Sequence, residues 1–592
     1  MKLKYTKALI CAMFFMLYSC GENFLLKEPQ GSVSLEALTT PEGVDMLVTA
    51  AYASLVRADG WGASMFNWTF GGIYGGDANK GSDSNDQAVL NEMETYKLIN
   101  TNSYLDDKWN WVYQGSERVN LAFRSLNDVE GVDENLLNTR KAELYFLRAV
   151  CYFEGVKVFG SHIPFIDETN MDNDPKVHND KDIYPDILSD IDKAIAGLPN
   201  KPDDVGRAYA WAAKALKAKV LMQQGNMAEA EPILKDVLEN GSTAFGLKYD
   251  LSDDMTDNWN TFMDNKSPES IFEIQFSSDG NNHGNKGMSL CYPHNSGPGG
   301  CCGFYQPSYD LANSFQVDAN GLPYLDGEYR THPSVSVLQP DDGPVMLIKD
   351  PKTTARSINN ATIPVDPRLD FAIGRINIPY KDYGPAQNWV RDYTNGGIFL
   401  PKKHVYTQAE ANAGYARSGM SDGWAPGSAM NIDYLSVRDA MLLYAECLAN
   451  DGKLSEAMGY VNKIRERAAL PVNIIKMDDG TPAANYLVKP YPPTHAAFSD
   501  QATCIKAIRM ERKLELAMEG QRWFDLTRWG GNYMNSEIAG YLNYEKQFIG
   551  KFNGVTALSP SKTMLPIPLD QVQTMGSDEN GQPYLVQPDA WK

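Results

Sequence analysis

Cysteine and carboxylate are the residue types whose spacing points most directly to chemistry. Cys291, Cys301 and Cys302 share one Gly/Pro-rich stretch, Cys291-Tyr-Pro-His-Asn-Ser-Gly-Pro-Gly-Gly-Cys301-Cys302-Gly303. Thiols at that density either bind a metal or pair. Adjacent cysteines lack Cys-x-x-Cys spacing, and structural zinc needs four ligands. In an exported chain a disulfide is the expectation. It is Cys291–Cys301, Cys291–Cys302 or the vicinal Cys301–Cys302, and spacing does not choose among them. Cys151, Cys447 and Cys504 fall in helix-patterned segments and read as small buried residues. Asp77-x-Asn79-x-Gly81-x-Asp83-x-Asn85 looks like a calcium loop. It lacks the EF-hand glycine and the closing glutamate, where Ala88 stands, so no metal is assigned. A glycosidase pair needs two close carboxylates. With 75 Asp and Glu in the chain, spacing alone cannot pick one. The seven histidines are scattered, and no His-Glu-x-x-His, Walker A, dinucleotide loop or Gly-x-Ser-x-Gly elbow occurs. No cofactor is expected.

These groups must be positioned by a chain of 592 residues, 43% apolar and 11% aromatic, with a net charge of −21. That composition builds a large core and argues against disorder. The acidity argues against nucleic acid, which needs clustered Lys and Arg. The first seven residues hold Lys2, Lys4 and Lys7 and no acid, and Ala8–Tyr18 is an apolar run. The run is too short to span a bilayer and has the length of a signal-peptide core. It ends Ser19-Cys20-Gly21, which resembles a bacterial lipobox. Residues 1–19 are therefore expected to be a signal peptide, cut before an acylated Cys20. Loss of the leader's three lysines takes the charge to −24.

Residues 38–57, 103–126 and 136–159 carry helical periodicity, with Thr40 as N-cap of the first and Pro41 in its first turn. Two later stretches repeat one design. Ala218, Gly225, Glu229 and Ala230 share the Ala-x6-Gly-x3-Glu-Ala spacing of Ala445, Gly452, Glu456 and Ala457. Each predicts a helix, a glycine turn and a second helix, similar to a tetratricopeptide hairpin. Pro232 is a local misfit. Helical parts over about 38–240 and 435–530 thus flank a loop-rich middle over about 242–434, with contacts joining the ends around it. The segment 60–86 reads as a structured Gly/aromatic loop, and the chain beyond 528 as an irregular tail.

Arg509-Met-Glu-Arg512-Lys-Leu-Glu515-Leu-Ala-Met-Glu519-Gly520-Gln-Arg522-Trp523-Phe524-Asp525-Leu526-Thr-Arg528-Trp529-Gly530 strongly resembles a segment of the SusD/RagB outer-membrane lipoproteins. Supporting marks run along nearly the whole chain, among them Glu143–Phe153, Asp366-Pro367-Arg368-Leu369, Tyr444-Ala445-Glu446 and Leu565-Pro566-Ile567-Pro568. The resemblance implies a mostly α, SusD-like fold, with tetratricopeptide-type hairpins packed against a large loop-rich region with few short strands. It implies one such domain over 20–592. It further implies no catalysis, binding of a poly- or oligosaccharide at the cell surface, and delivery to a SusC-type TonB-dependent outer-membrane transporter. The Arg509–Gly530 block itself reads as scaffold, with its charges pairing to neighbouring helices.

A sugar presents apolar C–H faces rimmed by hydroxyls, so its site wants flat apolar groups beside Asp, Asn or Arg. Three irregular loops offer them. Residues 61–86 hold Trp61, Trp68, Tyr74, Asp77 and Asn79. Residues 291–305 hold Cys301, Cys302 and Tyr305. Residues 383–424 hold Trp389, Arg391 and Trp424. The two rival readings are a glycoside hydrolase and a transporter lid with little glycan affinity of its own.

Overall fold

The computed structural model describes residues 40–56, 60–171, 175–279, 284–340 and 355–592. The leader and Cys20 lie outside them. Helix α1 (Pro41–Tyr52) starts where the sequence places it, with the Gly43 amide donating to Thr40 Oγ1 at 3.1 Å. Helices α2 (Ser103–Asn127) and α3 (Glu134–Phe159) follow as expected. Helix α4 (Tyr184–Gly197) is an addition to that reading.

The two repeated stretches are helical hairpins. Helices α5 (Ala210–Gln224) and α6 (Met227–Asn240) turn at Gly225, and α7 (Val437–Asn450) and α8 (Leu454–Ala468) turn at Gly452. Both turn glycines are left-handed, with φ of 86° and 74°, where a side chain is disfavoured. Ala218, Ala230, Ala445 and Ala457 are completely buried, which lets the paired helices close on each other. Pro232 lies within α6, early enough for the helix to continue past it.

From α2 to α6 each helix packs on the next. Helix α6 then packs on α7, although residues 241–436 separate them in sequence. The middle of the chain is thus looped out of a continuous helical stack. It holds most of the short strands, which form five antiparallel two-stranded ladders among the described residues. β1 (Ala78–Gly81) pairs with β3 (Phe304–Pro307). β2 (Ser270–Ile274) pairs with β10 (Ile432–Ser436) and ties the two ends of the excursion together. Between them β4 (Ser336–Pro340) pairs with β5 (Ala355–Asn359), β6 (Ile373–Gly374) with β7 (Leu400–Pro401), and β8 (Ala416–Ser421) with β9 (Ala425–Ser428).

The helix expected over 500–528 is interrupted. Helix α9 (Gln501–Glu515) ends in a turn with Met518 and Gly520 left-handed, and α10 (Arg522–Arg528) resumes after it. A Cβ on Gly520 would lie 1.9 Å from the Phe66 carbonyl oxygen, so this turn admits only glycine. Helix α11 (Gly531–Glu545) opens the tail that the sequence reads as irregular, and beyond it the chain is irregular apart from short helical pieces such as Leu569–Met575.

The charges of the Arg509–Gly530 block point inward. Arg512 pairs with Asp525 and Asp439, and Arg528 with Glu446 at 2.6 Å. Glu515 binds Arg368 and Arg467, and Glu519 binds Lys403 and Arg438. Arg509 instead lies over the rings of Tyr533 and Trp529. Trp523 is fully buried edge-on to Tyr74, with ring centroids 4.5 Å apart.

Candidate functional site

The structure corrects the sequence expectation for five residues. Trp68, Tyr74, Asp77, Asn79 and Tyr305 are at most 2% exposed, so they are core groups and present no face to a polymer. The Trp68 indole donates to the Gly287 carbonyl at 2.9 Å and packs against Tyr104, Phe304 and Tyr305. Tyr305 is held in place by β3 and packs on Phe66 and His404. Asn79 donates to Glu545 at 3.1 Å and accepts from the Tyr541 hydroxyl at 2.9 Å. Burial pushes the Glu545 carboxyl up to about 8 and that of Asp77 up to about 7. The reason is tertiary. The glycines of 66–76 let this loop plug into the turn of Gly520, where a Cβ on Gly71 would lie 1.6 Å from the Gly520 carbonyl oxygen. The loop is aromatic because it is buried.

The centre of the calcium-like loop is filled from within. The Lys80 ammonium donates to the carbonyls of Asp83, Ser84 and Asp86.

The remaining six candidates lie in or beside one segment, 284–303. At one end lies the β8–β9 hairpin, whose tip carries Trp424, 52% exposed. Asp422 of that tip pairs with Lys286 at 3.0 Å. Further on, the half-buried Trp61 donates its indole N–H to Ser289 Oγ at 3.1 Å. The segment ends in the cysteine stretch. Of the three pairings open in the sequence, the vicinal Cys301–Cys302 disulfide is the one formed, and Cys291 is a free, buried thiol whose pKa burial pushes up. Cys301 is partly exposed and Cys302 is buried.

Two other segments close on this loop. The His294 amide donates to the Trp389 carbonyl at 2.8 Å, and Asn295 Nδ2 to that of Val390 at 2.5 Å. The Ser82 amide donates to the Gly303 carbonyl at 2.6 Å. Arg391 spans the junction, pairing with Asp83 at 2.6 Å and Asp86 at 2.7 Å and donating to Ser82 Oγ at 2.9 Å. Burial acts to raise the Asp83 carboxyl, but the amides of Asn85 and Asp86 and the Arg391 guanidinium outweigh it and hold the group below its ordinary value. Trp389 is nearly covered and stands edge-on to Tyr380. Buried His404 donates from Nε2 to the Cys291 carbonyl at 2.7 Å. Burial pushes its pKa down to about 4, so the ring is neutral at pH 7.

Trp424, Trp61 and the disulfide thus lie at successive places along this segment, and Arg391, Asp83, Asp86, His294 and Asn295 gather at its cysteine end. Sequence reasoning passed over Asp86 and Asn295. Their only signal was proximity to Gly-rich turns. Among the described residues no group of three His, Cys, Asp or Glu side chains is arranged to hold a metal, and no helix is long and apolar enough to cross a membrane.

The profile of the SusD family matches residues 268–587, more than half of the chain. The chain belongs to the SusD family. A second profile, described as starch-binding associating with outer membrane, matches residues 38–222 of this SusD-family chain. A SusD-like protein of Formosa agariphila is 24% identical over 564 residues, covering 93% of both chains. A SusD-like protein of Bacteroides ovatus is 23% identical, covering 90% of this chain and 86% of that one. Among solved structures, a SusD superfamily protein of Bacteroides vulgatus aligns with a TM-score of 0.62 at 18% identity, covering 93% of this chain and 99% of that one. Surface glycan-binding protein A of Bacteroides thetaiotaomicron, in complex with laminarihexaose, aligns with a TM-score of 0.59 at 19% identity and the same coverage.

Proposed function

We propose that this SusD-family chain captures a poly- or oligosaccharide at the cell surface and passes it, without hydrolysis, to a SusC-type TonB-dependent transporter. A lipid on Cys20 holds it to the outer membrane. The observation that supports capture most is that exposed Trp424, half-buried Trp61 and the partly exposed Cys301–Cys302 disulfide all lie along one segment, whose cysteine end carries the Arg391 cluster. Flat apolar groups cover the C–H faces of a sugar, and the cluster supplies donors and acceptors for its hydroxyls. The solved relative holding laminarihexaose supports the same reading.

The test is a calorimetric screen of residues 21–592 against a glycan panel, with chromatography of the sugar afterwards. The reading expects saturable binding of at least one glycan and recovery of that glycan uncut. Shortened products would turn the assignment toward a hydrolase. Absence of binding across the panel, with co-purification of a transporter, would turn it toward a lid without affinity of its own.

A further inference from the structure

A cavity of about 180 Å³, with none of its lining drawn from the 284–303 segment, sits beside the Glu515–Glu519 turn. Met255, Trp259, Phe371, Pro379 and Ile475 give it apolar walls. Its charged lining is unbalanced, with six cations against Glu515 and Glu519. Four of the six are paired. Arg368 binds Asp366 and Glu511, Arg438 binds Asp433, Arg467 binds Glu269, and Lys403 binds Glu519.

Lys381 and Lys402 differ. Neither makes an ion pair among the described residues. The Lys402 ammonium donates to the carbonyls of Asp370 at 2.5 Å and Pro379 at 2.9 Å. That of Lys381 donates to the carbonyls of Lys403 and Val405. An ammonium has three N–H groups, so each lysine keeps one beyond these carbonyls, and the Lys402 ammonium also lies over the Tyr380 ring, 5.4 Å from its centroid. Arg467 Nε, also on this lining, is buried without an acceptor. Burial pushes Lys402 down to about 7 and Lys381 down to about 8, which an added anion would reverse. Cations with spare donors beside aromatic walls form a site for a molecule that is apolar in its body and anionic at one end.

We propose that this cavity is a second binding site, which takes a small carboxylate with a flat apolar body. The carboxylate accepts the spare N–H groups of Lys381 and Lys402, and the ring lies against Trp259 and Phe371.

Benzoate is the probe, titrated into residues 21–592 by calorimetry and by Trp fluorescence. Saturable one-site binding is expected, with neutral benzamide at least about tenfold weaker, because it leaves the cations uncompensated. Lys402→Met and Lys381→Met keep the aliphatic stem and remove the charge. Each should lower benzoate affinity by at least about tenfold while leaving the melting transition in place. Trp259→Ala is the independent variant should a lysine change disturb folding, and it too should weaken binding. Three results would overturn the proposal. They are no saturable benzoate binding, equal affinity in wild type and all three variants, and sulfate binding as tight as benzoate, which would remove the need for an apolar body.

Discussion

Changing Trp523 to alanine separates scaffold from binding face. The indole is fully buried, edge-on to Tyr74 at 4.5 Å. Gly75 approaches so closely that a Cβ there would lie 2.6 Å from the Trp523 amide nitrogen. The indole N–H has no acceptor among the described residues, so truncation forfeits packing and no hydrogen bond. Emptying a buried Trp site costs about 3–5 kcal/mol, and losing the ring pair adds about 0.5–1.5 kcal/mol. A total of about 3.5–6.5 kcal/mol is large against the usual net stability of a folded protein. Urea unfolding followed by near-UV circular dichroism should show the midpoint fall sharply for Trp523→Ala and much less for Trp523→Phe. Glycan affinity of the folded protein should be unchanged, because the ring's neighbours Tyr74 and Gly75 are core residues. An unchanged midpoint with lost affinity would reverse the assignment of the Arg509–Gly530 block.

Glu545 and Asp77 give stability a pH dependence of known sign. Burial raises their carboxyls from 4.5 and 3.8 to about 8 and about 7, so between those values the folded chain keeps protons that the unfolded chain has lost. Stability from these groups therefore falls as pH rises, and is gone above about 8. The thermal midpoint should drop through that window and Glu545→Gln should flatten the drop; a rise on alkalinisation would contradict it. Cys20→Ala should move the protein from the membrane fraction to the soluble one, and continued sedimentation with membranes lacking the transporter would count against lipidation. Trp68→Ala should lower the melting temperature, as expected for a core ring, whereas Trp424→Ala should leave melting alone, as expected for a hairpin tip. The reverse pattern would mean that the two rings have been exchanged in role.

The helical stack was legible because its signals are local. Thr40 caps α1, and the Ala-x6-Gly-x3-Glu-Ala spacing marks both hairpins, since helix contact needs alanine and the turn needs a left-handed residue. Helix α11 was not legible, because Gly531, Asn532, Asn535, Gly540 and Asn543 are weak helix formers and packing overrides their preference. The candidate site was half legible. Loop composition singled out Trp61, Cys301, Arg391 and Trp424, which lie along the 284–303 segment, and equally drew in Trp68, Tyr74 and Tyr305, which are buried. What separates them is the interlock of Gly71 with Gly520, a contact between residues far apart in the chain that no local pattern encodes. The choice of Cys301–Cys302 over the two pairings with Cys291 likewise depends on where the loop places its thiols.

In the proposed function Trp424 and the Cys301–Cys302 disulfide both bind sugar. Calorimetry of the cognate glycan against wild type, Trp424→Ala and the double variant Cys301→Ser/Cys302→Ser tests it most directly. A loss of about 1–3 kcal/mol in binding is expected for each variant, with melting of Trp424→Ala unchanged. Wild-type affinity in both variants would contradict it.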